Sequence, residues 1–183
     1  MKNFSIFTFL SILTFLLMTT PNKAATLNAS SNDLLNIETK YGKIIIELMP
    51  QVAPKHVERI KTLANRGFYD NVVFHRVIDG FMAQTGDPTG TGTGGSELPD
   101  LRAEFSDEPH IRGAVSMARA SSPNSANSQF FIVLKDSRFL DSQYTVFGRV
   151  IEGMEFVDQI KKGSGPNGTV GHPDKMLKVR TGK

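Results

Sequence analysis

The hydrophobic and polar positions of this chain change period several times. Leu34 to Thr39 and Lys43 to Leu48 flank Lys40-Tyr41-Gly42 and read as a hairpin. Its second arm carries Ile44-Ile45-Ile46, β-branched on both faces, which predicts a strand central in its sheet. Pro54 then opens a segment in which Val57, Ile60, Leu63 and Ala64 recur at three- and four-residue spacing, and Asn65-Arg66-Gly67 closes it. That is the pattern of an amphipathic helix, placed to plug one end of a barrel. Further strands are predicted at Val72 to Arg76, Phe81 to Thr85, Ala114 to Arg119, Phe130 to Leu134, Val146 to Val150 and Lys175 to Val179, with a short helix from Met154 to Lys161. The helices are too few and too displaced to alternate with strands as βαβ units. The pattern therefore predicts a mainly β domain built as an antiparallel closed barrel.

The amino terminus follows a different logic. Lys2 precedes an uncharged, largely apolar run from Phe4 to Met18, followed by Thr19-Thr20-Pro21-Asn22-Lys23-Ala24-Ala25. This is the three-part layout of a secretory signal, with cleavage expected near Ala24 or Ala25; the small residue expected three before the cut is missing, being Asn22 or Lys23, which leaves retention as an anchor as the alternative. The run is shorter than the ~20 residues a membrane-spanning helix needs. Residues 1–25 are accordingly read as a signal peptide, 26–33 as a polar tether and 34–183 as the folded domain. A periplasmic or secreted location follows from that layout.

Composition narrows the function. The chain has 183 residues, 21 Lys and Arg against 18 Asp and Glu, and a pI of about 9.2. Residues 1–25 hold Lys2 and Lys23 and no acid, so the remainder carries 19 basic and 18 acidic residues, a net charge of +1. No basic stripe survives, and nucleic acid is not an expected partner. The absence of cysteine excludes disulfides, thiol catalysis and a lipid-modified amino-terminal cysteine.

Several motifs fail when their context is read. Gly90, Gly92 and Gly95 satisfy GxGxxG, but Ser96-Glu97-Leu98-Pro99-Asp100 follows, and Pro99 with no apolar periodicity argues against the helix a dinucleotide site requires. The segment from Gly86 to Gly95 reads instead as a flexible surface loop beside a groove. His56, His75, His110 and His172 lack metal-ligand spacing, so neither a metal nor a cofactor is expected. No Gly-x-Ser-x-Gly elbow accompanies the many serines, and His75 reads as a hydrogen-bonded structural histidine. The informative run is Phe74-His75-Arg76-Val77-Ile78-Asp79-Gly80-Phe81-Met82-Ala83-Gln84, an arginine set in an apolar, aromatic stretch. Either a carboxylate neutralises Arg76 or its five donors face a pocket open to a ligand carbonyl.

A second run, Ser116-Met117-Ala118-Arg119-Ala120 through Ser128-Gln129-Phe130-Phe131-Ile132-Val133, joins small residues, a polar loop and an aromatic strand. With Gly67-Phe68-Tyr69-Asp70, Phe139-Leu140-Asp141 and Val146-Phe147-Gly148-Arg149-Val150, these runs closely resemble the cyclophilin family of peptidyl-prolyl cis-trans isomerases, particularly its compact bacterial secreted members. The resemblance spans about residues 34–180.

That resemblance implies an eight-stranded antiparallel barrel capped by two helices, binding an extended X-Pro peptide in an outer groove. It implies Arg76 as the catalytic arginine, grouped with Phe81 and Gln84. Phe81, Met82, Phe131 and Leu140 would form the proline pocket, with Gln84 and Gln129 as polar positioners. Ala118, Arg119 and Ala120 would form the peptide-facing edge, with Gly92 on the opposite loop. Phe139 stands where many members have tryptophan, and Tyr144 where histidine is frequent. Phenylalanine lacks the indole N–H donor, so weakened cyclosporin binding with isomerisation retained is expected. The partners implied are proline-containing polypeptides, the expected state is a monomer, and the expected role is folding assistance to exported proteins. A non-catalytic proline-peptide-binding chaperone module is the competing reading; Arg76, Phe81 and Gln84 together favour catalysis.

Overall fold

The computed structural model describes Met1, residues 31–164 and residues 167–182. The signal peptide read at 1–25 lies outside this range apart from Met1, as does most of the tether. The tether's last residues, Ser31–Asp33, form a 3₁₀ turn, and Asp33 pairs with Lys61 at 2.6 Å.

Eight strands among the described residues form one antiparallel sheet. They are β1 (Leu34–Glu38), β2 (Lys43–Leu48), β3 (Arg76–Ile78), β4 (Met82–Thr85), β5 (Ala114–Met117), β6 (Phe130–Val133), β7 (Val146–Glu152) and β8 (Lys178–Thr181), in the spatial order β3-β4-β6-β5-β7-β2-β1-β8. β2 lies inside the sheet between β7 and β1, as its triple isoleucine predicted. Helix α1 (Pro54–Asn65) buries Val57, Ile60, Leu63 and Ala64, while α2 (Met154–Gln159) ends two residues before its pattern suggested.

The closed barrel is not what forms. The sheet curls into a half-barrel whose edges are β3 and β8. Residues 72–75, expected as strand, and 169–176 face each other across the gap through isolated bridges at Val73–Lys175 and Arg76–Thr169. Gly168, Gly171, Pro173 and the positive φ of His172 (55°) keep the second segment from extending into a ladder. Hence β3 and β8 begin later than the sequence pattern indicated.

Register decides which residues serve the interior. In neighbouring strands Val77 faces Ala83, Ala83 faces Ile132, and Ile132 faces Val115. All four are buried in the main core, with Phe130, Phe147, Tyr69 and, from β2, Ile44 and Ile46. One residue along, Arg76 faces Gln84, Gln84 faces Phe131, and Phe131 faces Ser116. Successive strand residues point to opposite faces, so this second row lies on the outer surface. A slip of one residue would exchange the rows.

Candidate active site

The outer row anchors a separate apolar cluster of Met82, Ala114, Phe131, Val133 and Leu140, with Ile78, Phe81, Ala118 and Tyr144 packed against it. Here a cavity of about 320 Å³ opens, lined among others by Arg76, Phe81, Met82, Gln84, Gly92, Ala118, Arg119, Phe131, Leu140 and Tyr144. Ten of the thirteen residues singled out from sequence therefore converge on one pocket. Gln129 and Ala120 line an adjoining cavity of about 550 Å³ that shares Gln84, Gly92, Ala118 and Arg119. Phe139 lies at the rim, 66% exposed, its ring 5.5 Å from that of Phe81. His75, Gly90, Thr91 and Thr169 also line the pocket without having been anticipated there. The glycine-rich composition of the loop was a usable signal for Gly90 and Thr91; nothing in the pattern pointed to Thr169.

Among the described residues Arg76 has no carboxylate partner. Its Nε donates to the Asn167 carbonyl at 2.8 Å and one terminal nitrogen donates to Gln84 Oε1 at 3.1 Å. Gln84 Nε2 donates to Gln129 Oε1 (2.9 Å), and Gln129 Nε2 donates to the carbonyls of Gly92 (3.1 Å) and Gly94 (2.8 Å). This relay fixes both amide orientations and leaves a partly solvent-facing guanidinium above an apolar floor. Of the two explanations for Arg76, the pocket holds.

The glycine-rich loop is not free, contrary to its reading as flexible. Asp87, with no solvent exposure, accepts from the Thr89 hydroxyl and from the backbone N–H groups of Thr89, Gly92 and Gly94 at 2.6–3.1 Å. Burial alone would raise its pKa, but these donors outweigh it and hold the carboxyl below its ordinary range. At the loop's start Gly86 has φ +87°, and a Cβ there would sit 2.4 Å from the Ser128 carbonyl, so only glycine fits.

Two buried histidines support the pocket. His110 stacks on Phe131 with ring centroids 6.2 Å apart, its Nδ1 3.1 Å from Asp141 and its Nε2 3.0 Å from Ser116 Oγ. Burial lowers its pKa, with Asp141 opposing. The His110 backbone N–H and Arg138 in turn depress Asp141 to about 2. His75 was expected to be hydrogen-bonded; instead neither ring nitrogen meets a partner among the described residues, and burial pushes its pKa down. Among the described residues no three His, Asp or Glu side chains gather into a metal-binding cluster.

An antiparallel half-barrel carrying an apolar pocket and an unpaired arginine on its outer face defines a protein of the cyclophilin class. The chain belongs to the cyclophilin-type peptidyl-prolyl cis-trans isomerase family, whose family model, described as cyclophilin type peptidyl-prolyl cis-trans isomerase/CLD, matches residues 34–181. A probable peptidyl-prolyl cis-trans isomerase of Brucella suis biovar 1 (strain 1330) is 53% identical over 163 residues, covering 82% of this chain and 83% of the relative. Peptidyl-prolyl cis-trans isomerase-like 1 of Aspergillus fumigatus is 45% identical over 127 residues, covering 67% and 78%. Among solved structures, a Cryptosporidium parvum cyclophilin type peptidyl-prolyl cis-trans isomerase in the presence of the dipeptide Ala-Pro aligns with a TM-score of 0.77 at 32% identity, over 82% of this chain and 99% of that one. A Hirschia baltica cyclophilin aligns with a TM-score of 0.75 at 29% identity, over 84% and 75%. The protein is thus a peptidyl-prolyl isomerase.

Proposed function

We propose that this isomerase binds extended proline-containing polypeptides in the outer pocket, with Arg76 as the catalytic donor, and that it assists the folding of exported proteins outside the cytoplasm. Rotation about a prolyl bond needs no nucleophile. The barrier of about 18–20 kcal/mol comes from C–N double-bond character. When the bond twists, resonance is lost and the prolyl nitrogen becomes an acceptor. Arg76 can donate to that nitrogen and to the adjacent carbonyl, favouring the twisted state over the planar ones. Phe81, Met82, Phe131 and Leu140 hold the proline ring while the other side of the bond turns, and their low dielectric strengthens the arginine's bonds.

The observation that carries this reading is the guanidinium itself: held by Gln84 and the Asn167 carbonyl, it keeps donor capacity beside an apolar cavity and faces no carboxylate among the described residues. A protease-coupled assay on an Ala-Pro peptide tests it. Arg76→Ala should slow isomerisation steeply, and equal rates for variant and wild type overturn the assignment. The export proposal rests on the layout of residues 1–25. Expression of the full chain followed by fractionation and mass spectrometry of its amino terminus should find a shortened protein beginning near Ala25 or Thr26 outside the cytoplasm. An intact cytoplasmic chain rejects it.

A further inference from the structure

Arg119 stands between the two cavities and lines both. Its guanidinium lies over the Tyr144 ring, 4.6 Å from the centroid, an arrangement that fixes the side chain across the pocket mouth. Nε donates to the Gln143 carbonyl at 3.2 Å, and one terminal nitrogen donates to the carbonyls of Ala120 and Ser121 at 3.0 and 3.1 Å. The other terminal nitrogen has no partner among the described residues. All these acceptors are neutral, so the positive charge is oriented but not neutralised.

The surroundings offer no opposing charge. Among the described residues lining the first pocket, Arg76 and Arg119 are cationic, burial favours the neutral form of His75, and none is Asp or Glu. The one carboxylate on the adjoining cavity, Asp100, already accepts from Asn127 Nδ2 at 2.9 Å. The backbone of Arg119 is open as well: the neighbouring N–H groups bond to the Gln129 carbonyl (Ala118) and the Ser125 hydroxyl (Ala120), while the N–H and C=O of Arg119 have no partner among the described residues. A peptide strand pairing with that edge brings the side chain opposite Arg119 onto the same face, with Cβ atoms about 4.5–5.5 Å apart.

We infer that Arg119 is a specificity-determining residue that selects substrates bearing a carboxylate side chain close to the proline. The inference rests on the proposed use of this pocket as the isomerase site. Exposed charge pairs of this kind are worth up to about fivefold in an equilibrium or rate, so a preference of roughly threefold to fivefold is expected.

The test uses acetylated, amidated alanine peptides with one central Ala-Pro bond, in which Glu, Gln or Lys replaces a single alanine within three residues on either side of the proline. Isomerisation is followed by NMR exchange, and the ratio of kcat/KM for Glu to that for Gln is compared within each protein, which removes any change in basal rate. For wild type one position should give a ratio of about 3–5, with Lys below Gln, and the ratio should fall toward one in 0.5 M NaCl, roughly where screening acts within a few ångström. Arg119→Gln should abolish the ratio and Arg119→Glu should invert it in favour of Lys, with amide spectra reporting that each variant is folded. Turnover of the all-alanine peptide with no charge preference, or a preference unchanged in Arg119→Gln, overturns the inference alone. No turnover of any peptide by wild type overturns the use of the pocket as the isomerase site, and this inference with it.

Discussion

Phe130 and Phe131 are adjacent on β6 and do opposite work. Phe130 is fully buried in the main core, edge-on to Tyr69 and Phe147 with centroids 5.6 and 6.0 Å away. Phe131 faces outward, stacked on His110 and edge-on to Tyr144 at 5.9 Å, and one side of it borders the pocket. The inner face fills itself; the outer face builds an equally apolar cluster and stops short of closing it. Pleat alternation alone separates a residue that fills the core from one that borders the pocket.

Truncation should separate the two most sharply. Phe130→Ala removes a ring from a closed core and should lower stability by about 3–5 kcal/mol in urea unfolding, with little loss of activity per folded molecule. Phe131→Ala opens a site already beside a cavity and should cost roughly half as much, while prolyl isomerisation falls further than stability does. Equal stability losses with equal activities would erase the distinction between the faces. Next in size, Arg76→Ala should slow isomerisation by about 10²–10³-fold, the usual cost of one preorganised donor, and leave stability within about 0.5 kcal/mol. A large stability loss would show that the outer row holds the fold together as the inner row does.

Much of this division was legible in the sequence. The apolar pattern located six of the eight strands and touched β3 and β8 only at their first residues, and the helix signals at Pro54 and Asn65-Arg66-Gly67 located α1. The boundaries near the gap were not legible, because Val72 to His75 look like strand yet form only an isolated bridge, at Val73, and scattered backbone hydrogen bonds with a segment that proline and glycine keep irregular. The curl stopping at a half-barrel depends on that same pairing. The pocket is assembled from segments distant in sequence, so its members could be named through family resemblance but not from local pattern. His75 shows the limit: residue type suggested a satisfied structural group, whereas three-dimensional packing left its ring nitrogens without partners beside the pocket.

Acid should probe the core and the pocket together. His56 is a buried residue of α1 with Nδ1 2.6 Å from Glu104, whereas His75 and His110 back the pocket. Burial lowers the pKa of all three. The folded state then binds fewer protons than the unfolded one once pH drops below the ordinary histidine value of about 6.5, so stability falls with decreasing pH until each folded pKa is passed. Each such histidine contributes a slope of up to about 1.4 kcal/mol per pH unit. Urea midpoints measured from pH 7.5 to 5 should decline, and His75→Gln should flatten part of that decline. A midpoint independent of pH would mean that the folded protein accepts the protons as readily as the unfolded chain.

The smallest expected effect lies at the rim. Phe139 covers Phe81 but presents most of its own surface to solvent and carries no polar atom. Replacing it by tryptophan keeps an aromatic ring on Phe81 and adds one donor at the pocket's edge. One added hydrogen bond is worth about 0.5–1.5 kcal/mol, so Phe139→Trp should tighten cyclosporin binding by up to about tenfold in calorimetry. Isomerisation of an Ala-Pro peptide should change by less than about twofold, because floor and donor are untouched. Nanomolar binding by wild type would refute the role given to the missing indole. A fall in isomerisation matching that of Phe131→Ala would move Phe139 from rim to floor.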